Sequence, residues 1–139
     1  MAEWIYNNQE FSETPSEYYG FVYLIENTIT NKKYIGKKWF WSTRRVKQKG
    51  KTRRKIVKNT SDWLKYYGSN EELLADIKEH GTETVKRTIL HLCKTKGEMS
   101  YMEAKLQFQY DVLLRDDFYN EFIGCKIHAK SVKGLKNTG

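Results

Sequence analysis

Residues 20–27, Gly-Phe-Val-Tyr-Leu-Ile-Glu-Asn, are the run of this chain most committed to one backbone state. Aromatic and β-branched side chains pack well on a pleated surface, so the run reads as a β-strand ending at Asn27. Asn27-Thr28-Ile29-Thr30-Asn31 follows, and Asn and Thr side chains readily bond nearby backbone in turns. Residues 33–36 give a second short strand, which makes a hairpin. On the first strand Phe21, Tyr23 and Ile25 share one face, and Val22 and Leu24 the other. Tyr23 and Tyr34 stand on opposite arms, with 10 residues between them.

At 139 residues the chain fits one domain. Residues 1–17 are polar with scattered aromatics (Trp4, Tyr6, Phe11), give no predicted element and read as an N-terminal arm. Residues 39–48 fit a short helix with Trp39, Thr43 and Val46 on one stripe, and residues 49–60 an exposed, mobile loop. Ser69 and Glu72 form a capping box that opens a helix bearing Leu73, Leu74 and Ile77, with Gly81 as its stop. Residues 84–92 read as a third strand. Thr95 and Glu98 form a second capping box, opening a long helix with Met99, Met102, Leu106, Tyr110 and Leu113 at helical spacing. The expected fold class is α/β in the α+β sense, a small three-stranded antiparallel sheet flanked by helices. The expected organisation is the arm at 1–17, one domain at 18–122 and a basic tail at 123–139.

The charge is unevenly spread. Against 17 acids the chain holds 25 Lys and Arg, a formal +8. No acid occurs between Glu26 and Asp62, and that window holds 13 of the 25 cations. The block is internal and carries Trp39, Phe40 and Trp41, which points to nucleic acid ahead of a merely solubilising surface. Candidate DNA contacts are Lys37, Lys38, Arg45, Lys47, Arg53, Arg54, Lys55 and Lys58. Cys93 and Cys125 lack metal-ligand spacing and fit free thiols in a reduced, cytoplasmic setting. His80, His91 and His128 form no metal-binding set. His80 suits a helix C-terminus, and His91 suits a strand. No secretory leader and no bilayer-length apolar run is evident, so no membrane partner is expected.

Phosphodiester cleavage needs a group that activates water, a cation on the scissile phosphate and an electrophile for the leaving oxygen. The candidates here are Tyr23 and Tyr34, the Arg44-Arg45 pair, and Glu103. Glu103 lies between Met99 and Leu106, on the margin of the buried stripe. Such a carboxylate can anchor a divalent metal, or it can be an ordinary helix acid paired with Lys105 or another cation. A tyrosine in a strand is more often packing than chemistry.

Phe21-Val22-Tyr23, with Tyr34-Ile35-Gly36 beyond it, resembles the paired-tyrosine hairpin of the GIY-YIG nuclease family. The likeness extends in order and rough spacing over residues 20–120. Arg44, ten residues after Tyr34, matches the family's arginine. Glu103 matches a glutamate on a later helix, and Tyr119-Asn120 a later asparagine. The segment Trp63 to Ser69 also resembles phage-borne members. The resemblance implies a GIY-YIG-like fold and a metal-dependent endonuclease acting on double-stranded DNA. It implies one Mg²⁺ or Mn²⁺ ion and no small-molecule cofactor. Tyr23 would be the general base or would orient the attacking water, and Tyr34 would support it or contact the phosphate. Arg44 would clamp the phosphate, Glu103 would hold the metal, Asn120 would organise the site, and Gly36 would allow close backbone packing. Free tyrosine titrates near pH ~10, so a base role calls for nearby cations such as Lys33, Lys37 or the metal. Phe21 replaces the family's leading glycine, Gln48 stands where a histidine often follows the arginine, and Arg45 competes with Arg44 for the clamp.

Three function classes fit these residues. The first is an endonuclease of the phage or mobile-element homing type, or a compact restriction enzyme. The second is a catalytically inactive DNA- or RNA-binding module on the same scaffold, using cations for phosphates and aromatics for stacking. The third is an RNA-binding protein of ribosomal type. No feature of the sequence fixes an oligomeric state.

Overall fold

The structure, a computed structural model, describes residues 3–124 apart from the side chains of Arg44, Lys55 and Ile56. Cys125, His128 and nearly all of the basic tail expected at 123–139 lie outside the described residues. Strand β1 (Trp4–Tyr6) turns at Asn7 and Asn8, both at positive φ, into β2 (Gln9–Glu10). β3 (Gly20–Asn27) and β4 (Lys33–Trp39) form the expected hairpin, in register from Gly20 opposite Trp39 to Glu26 opposite Lys33. Its turn is closed by the Asn27 side chain, whose Oδ1 accepts from the N–H groups of Ile29 (2.9 Å) and Thr30 (3.2 Å). β5 (Trp41–Val46) and β6 (Lys55–Thr60) make a second hairpin. α1 (Glu71–His80), β7 (Val85–Cys93) and α2 (Lys96–Gln109) follow.

The main sheet is five-stranded, in the order β2-β1-β7-β3-β4. The α+β class stands, but the sheet is neither three-stranded nor wholly antiparallel, because β1 lies parallel to β7. One face packs Phe21, Tyr23, Ile25 and Ile89 against Trp4, Phe40, Trp63 and the α1 residues Leu73 and Ile77. The other packs Val22, Leu24, Ile35 and Cys93 against Met99 of α2 and against Val112 and Phe118. The alternation read on β3 therefore separates two cores. Among the described residues no helix is long and apolar enough to cross a membrane.

The expectation of an elementless arm at 1–17 is corrected by β1 and β2. Trp4 is fully buried, and its indole Nε1 donates to the Trp63 carbonyl at 2.8 Å. Three residues are too few to display alternation, so this strand is decided by its tertiary partners. The helix expected at 39–48 and the loop expected at 49–60 are instead the β5–β6 ribbon. The stripe of Trp39, Thr43 and Val46 consists of residues that also favour strands; Trp39 pairs with Gly20, and pairing with 55–60 takes in Thr43 and Val46. β4 likewise runs on to Trp39, beyond the expected end at 36.

The first capping box is shifted by one residue. Asn70, not Ser69, caps α1, accepting from Leu73 N–H at 2.9 Å while its amide donates to the Tyr119 carbonyl at 3.1 Å. Thr95 caps α2 as expected, accepting from Glu98 N–H at 3.1 Å. α2 stops at Gln109, so Leu113, expected on its apolar face, lies beyond it and is 46% exposed.

Arg87 on β7 is buried and lies over the rings of Trp4 (4.5 Å) and Tyr67 (4.2 Å). Its guanidinium donates to the carbonyls of Leu64 (3.1 Å) and Tyr66 (2.7 Å). It thereby fastens the segment between β6 and α1 onto the sheet. Trp4 joins that segment to β7, so Trp4→Ala should cost about 3–5 kcal/mol of stability in urea unfolding. A loss below about 0.5 kcal/mol would return residues 1–17 to the status of a loose arm.

Candidate active site

Tyr23 and Gly36 face each other directly across β3 and β4. A side chain at 36 would meet the Tyr23 phenol, since a Cβ there would lie 2.5 Å from its oxygen. Gly68 closes in from the other side, in a left-handed conformation at φ +94°, and a Cβ there would lie 3.6 Å from the same oxygen. Gly36 thus leaves room for the phenol, and Gly68 meets the need of its own left-handed backbone. Opposite Tyr23 the pairing of β3 with β7 shifts register, with Val22 on His91 and Tyr23 on Ile89. The extra residue, Leu90, lies on β7, so it is the strand beside Tyr23 that is bulged.

Tyr23 is 1% exposed. Burial raises its pKa well above the ordinary tyrosine value, and the neighbouring phenols of Tyr66 and Tyr34 and the Glu103 carboxylate raise it further. The expectation that Lys33 or Lys37 favours its phenolate finds no support, because both ammonium groups are turned to carboxylates. The Lys33 ammonium pairs with Asp117 at 3.2 Å, and that of Lys37 with Glu103 at 3.6 Å. Tyr23 is therefore a neutral phenol in the resting protein.

Tyr34 lines a cleft of about 350 Å³. Ser69, Asn70, Glu103, Gln107 and Asn120 line the same cleft. The Tyr34 hydroxyl lies 3.4 Å from Ser69 Oγ. Burial raises the Tyr34 pKa, the Ser69 hydrogen bond opposes this, and Glu103 adds to the rise. The carboxylate on α2 thus acts electrostatically on both hairpin tyrosines.

The Glu103 side chain is 16% exposed. Burial raises its pKa, and Lys37 offsets this in part. Of the two readings of Glu103, partnership with a cation is real, but the cation is Lys37 on the sheet and not Lys105. Lys37 also donates to Ser100 Oγ at 3.0 Å.

Asn120 is buried, and both ends of its amide are engaged. Its Oδ1 accepts from Ile35 N–H at 3.1 Å, and its Nδ2 donates to the Ile35 carbonyl at 2.8 Å. Gln107 Nε2 donates to that same carbonyl at 2.9 Å. Both amide atoms of Asn120 are thus bonded to one residue of β4. It holds the peptide between Tyr34 and Gly36 in place.

Tyr34, Glu103 and Asn120 therefore share one cleft, and Tyr23 lies directly behind it. Arg44 sits on β5 opposite Val57. Arg45, Lys47, Arg53, Arg54 and Lys58 are exposed on the ribbon, and Lys55 opens its second strand. Lys38 faces inward, 2.6 Å from Asp62 and 4.2 Å from the Tyr66 ring. Gln107, Ser69 and Tyr66 were not foreseen as site residues. Gln107 carried a usable signal, as a polar residue one turn after Glu103 on the buried stripe.

A family model described as "Putative endonuclease segE, GIY-YIG domain" matches residues 4–123. No curated protein and no solved structure matches the chain. The match begins at the buried Trp4 and ends just past Asn120, so it takes in the N-terminal strands, the tyrosine hairpin and α2 together. With the paired tyrosines, the glycine that accommodates one of them and the helix glutamate in place around one cleft, the chain belongs to the GIY-YIG nuclease family.

Proposed function

We propose that the protein is a metal-dependent endonuclease of double-stranded DNA, of the phage or mobile-element homing type. The observation that carries this reading is the joint presence of Tyr34, Glu103 and Asn120 on one cleft, with Tyr23 behind. A water in the cleft attacks phosphorus, the bond to one sugar oxygen breaks, and that oxygen leaves with a proton. Tyr34, whose hydroxyl reaches the cleft, contacts and orients the water. Tyr23 fixes the Tyr34 ring, with centroids 6.2 Å apart, and as a neutral phenol supplies a hydrogen bond and not a ready base. Arg44 is the phosphate clamp by its place in the family pattern.

The cleft suits one hard divalent cation. Glu103 is an ionisable oxygen donor held partly out of water, with one ammonium at 3.6 Å as its compensation. Among the described residues no group of three or more His, Cys, Asp or Glu could form a complete cage. One carboxylate completed by phosphate and water oxygens is a coordination that Mg²⁺ or Mn²⁺ accepts. Glu103 would hold the ion, which when bound neutralises charge on the scissile phosphate.

Plasmid nicking in Mg²⁺ tests this directly. Tyr34→Phe, Tyr23→Phe, Arg44→Ala and Glu103→Gln should each slow cleavage by ~10²-fold or more while duplex binding persists. Full activity in Glu103→Gln, or no nicking of any duplex by the wild type, would sink the reading.

The buried carboxylate also marks the fold's pH dependence. Its pKa is raised on folding, so its favourable contribution is complete below the ordinary carboxylate range. That contribution is lost as pH rises through the raised value, and an ionised, half-buried carboxylate at neutral pH is a cost. Glu103→Gln should therefore melt at or above the wild-type temperature at pH 7, a difference that fades in acid. Mg²⁺ should raise the wild-type melting temperature and leave that of Glu103→Gln unmoved. A Mg²⁺ shift of equal size in both proteins would place the ion elsewhere.

A further inference from the structure

The β5–β6 ribbon is the part of the molecule that the cleft does not account for. Its attachments gather at its base. Phe40 is fully buried and its N–H donates to the Tyr19 carbonyl at 2.9 Å. Ser61 N–H donates to the Phe40 carbonyl at 2.8 Å, and Trp41 Nε1 to the Pro15 carbonyl at 3.3 Å. Lys58 lies 4.3 Å over the Trp41 ring.

Beyond that base the described side chains of the shaft are mostly exposed, with Val46 and Val57 half-buried. Ser42 and Asn59, paired on one face, are exposed, and so are Thr43 and Lys58 on the other. A two-stranded ribbon with no face packed on a core is marginal by itself. This one also carries like charges and no acid. Lys47, Lys49, Lys51, Arg53 and Arg54 are exposed around its turn, and none is in an ion pair among the described residues. An element that adds little to the core and repels itself is explained if a polyanion completes it.

The dimensions favour a duplex. Six residue pairs at a rise of ~3.3 Å make a shaft of ~20 Å, and a two-stranded ribbon fits the ~12 Å width of the DNA major groove. β5 follows β4 with Phe40 alone between them, so the ribbon and the peptide carrying Tyr34 are one continuous backbone.

We propose that the β5–β6 ribbon enters the major groove of duplex DNA and sets where along the duplex the cleft falls. Placement of the cut rests on the endonuclease reading, whereas groove binding does not. The test uses the Glu103→Gln protein and a mixed-sequence DNA duplex, with affinity measured against salt. Neutralising the tip (Lys49→Gln, Lys51→Gln, Arg53→Gln and Arg54→Gln together) should weaken binding by ~10²-fold or more at low salt. The slope of log affinity on log salt should become shallower by ~0.9 for each phosphate that the tip no longer neutralises. With the tip intact, the major-groove ligand methyl green should displace the protein, and the minor-groove ligand distamycin should not. Unchanged affinity and slope in the neutralised protein, displacement by distamycin alone, or tighter binding to duplex RNA would each overturn the proposal. Methyl-green-sensitive binding by a wild-type protein that never nicks DNA sinks the nuclease reading and keeps the ribbon. Nicking by a protein whose binding ignores the tip does the reverse.

Discussion

The site depends on how the outer strand of the main sheet is held. β4 lies at the sheet's edge, and an edge strand offers unpaired N–H and C=O groups along one side. Here the segment after α2 satisfies those of Lys33 and Ile35. Lys33 N–H donates to the Asp117 carbonyl at 2.8 Å, and Tyr119 N–H to the Lys33 carbonyl at 2.7 Å. Where backbone pairing stops, the Asn120 amide takes over as a substitute peptide on Ile35, joined by Gln107. Three hydrogen bonds thus converge on the residue between Tyr34 and Gly36. Glu103 and Gln107 are one turn apart on α2, so a single helical face presents both the carboxylate and a bond that fixes the tyrosine strand. The phenol and the carboxylate cannot drift apart without breaking that bond.

Such a site costs stability, and the surrounding packing offsets it. Two phenols and a carboxylate are drawn out of water with their charged forms disfavoured. Behind them Phe21, Phe40 and Trp63 meet ring to ring at 4.8–6.0 Å, and Trp4 closes on Phe21 at 5.0 Å. Aromatic pairs at these separations add to what their buried area contributes. The Tyr119 hydroxyl donates to Asp76 at 2.7 Å and lies 3.0 Å from the Asn27 amide, tying α1 to the hairpin turn. Tyr34 and Glu103 therefore sit on regular elements, a strand and a helix, which hold geometry more closely than loops do.

The local parts of this design were legible in the sequence. The β3–β4 hairpin, Thr95 as a helix cap and the glutamate on the stripe of α2 each depend on residues close together in the chain. What stayed hidden depends on distant partners. Trp4 looks like a stray aromatic until β7 lies beside it. Trp41 to Val46 looks helical until 55–60 pairs with it. Asn70 won the cap from Ser69 because Tyr119 accepts from its amide, across 49 positions of sequence. The charge state of Tyr23 was hidden for the same reason. Neighbouring lysines in the sequence pointed to cations, but strand alternation and ion pairing sent Lys33 to Asp117 and Lys37 to Glu103.

Phe40 joins the two hairpins and decides how they can move relative to each other. A single-residue connection between strands would serve as a hinge if it were exposed. Phe40 is instead fully buried, 4.8 Å from the Phe21 ring and 5.0 Å from that of Trp63. Swinging the ribbon about this point would pull an aromatic ring out of the core, at a cost of about 3–5 kcal/mol if the ring were wholly withdrawn. The base of the ribbon is thus rigidly oriented to Tyr34, and freedom to adapt to a partner is confined to the shaft and turn. A partner seated on the ribbon would therefore be referred to the cleft through a packed aromatic joint and not through a flexible linker.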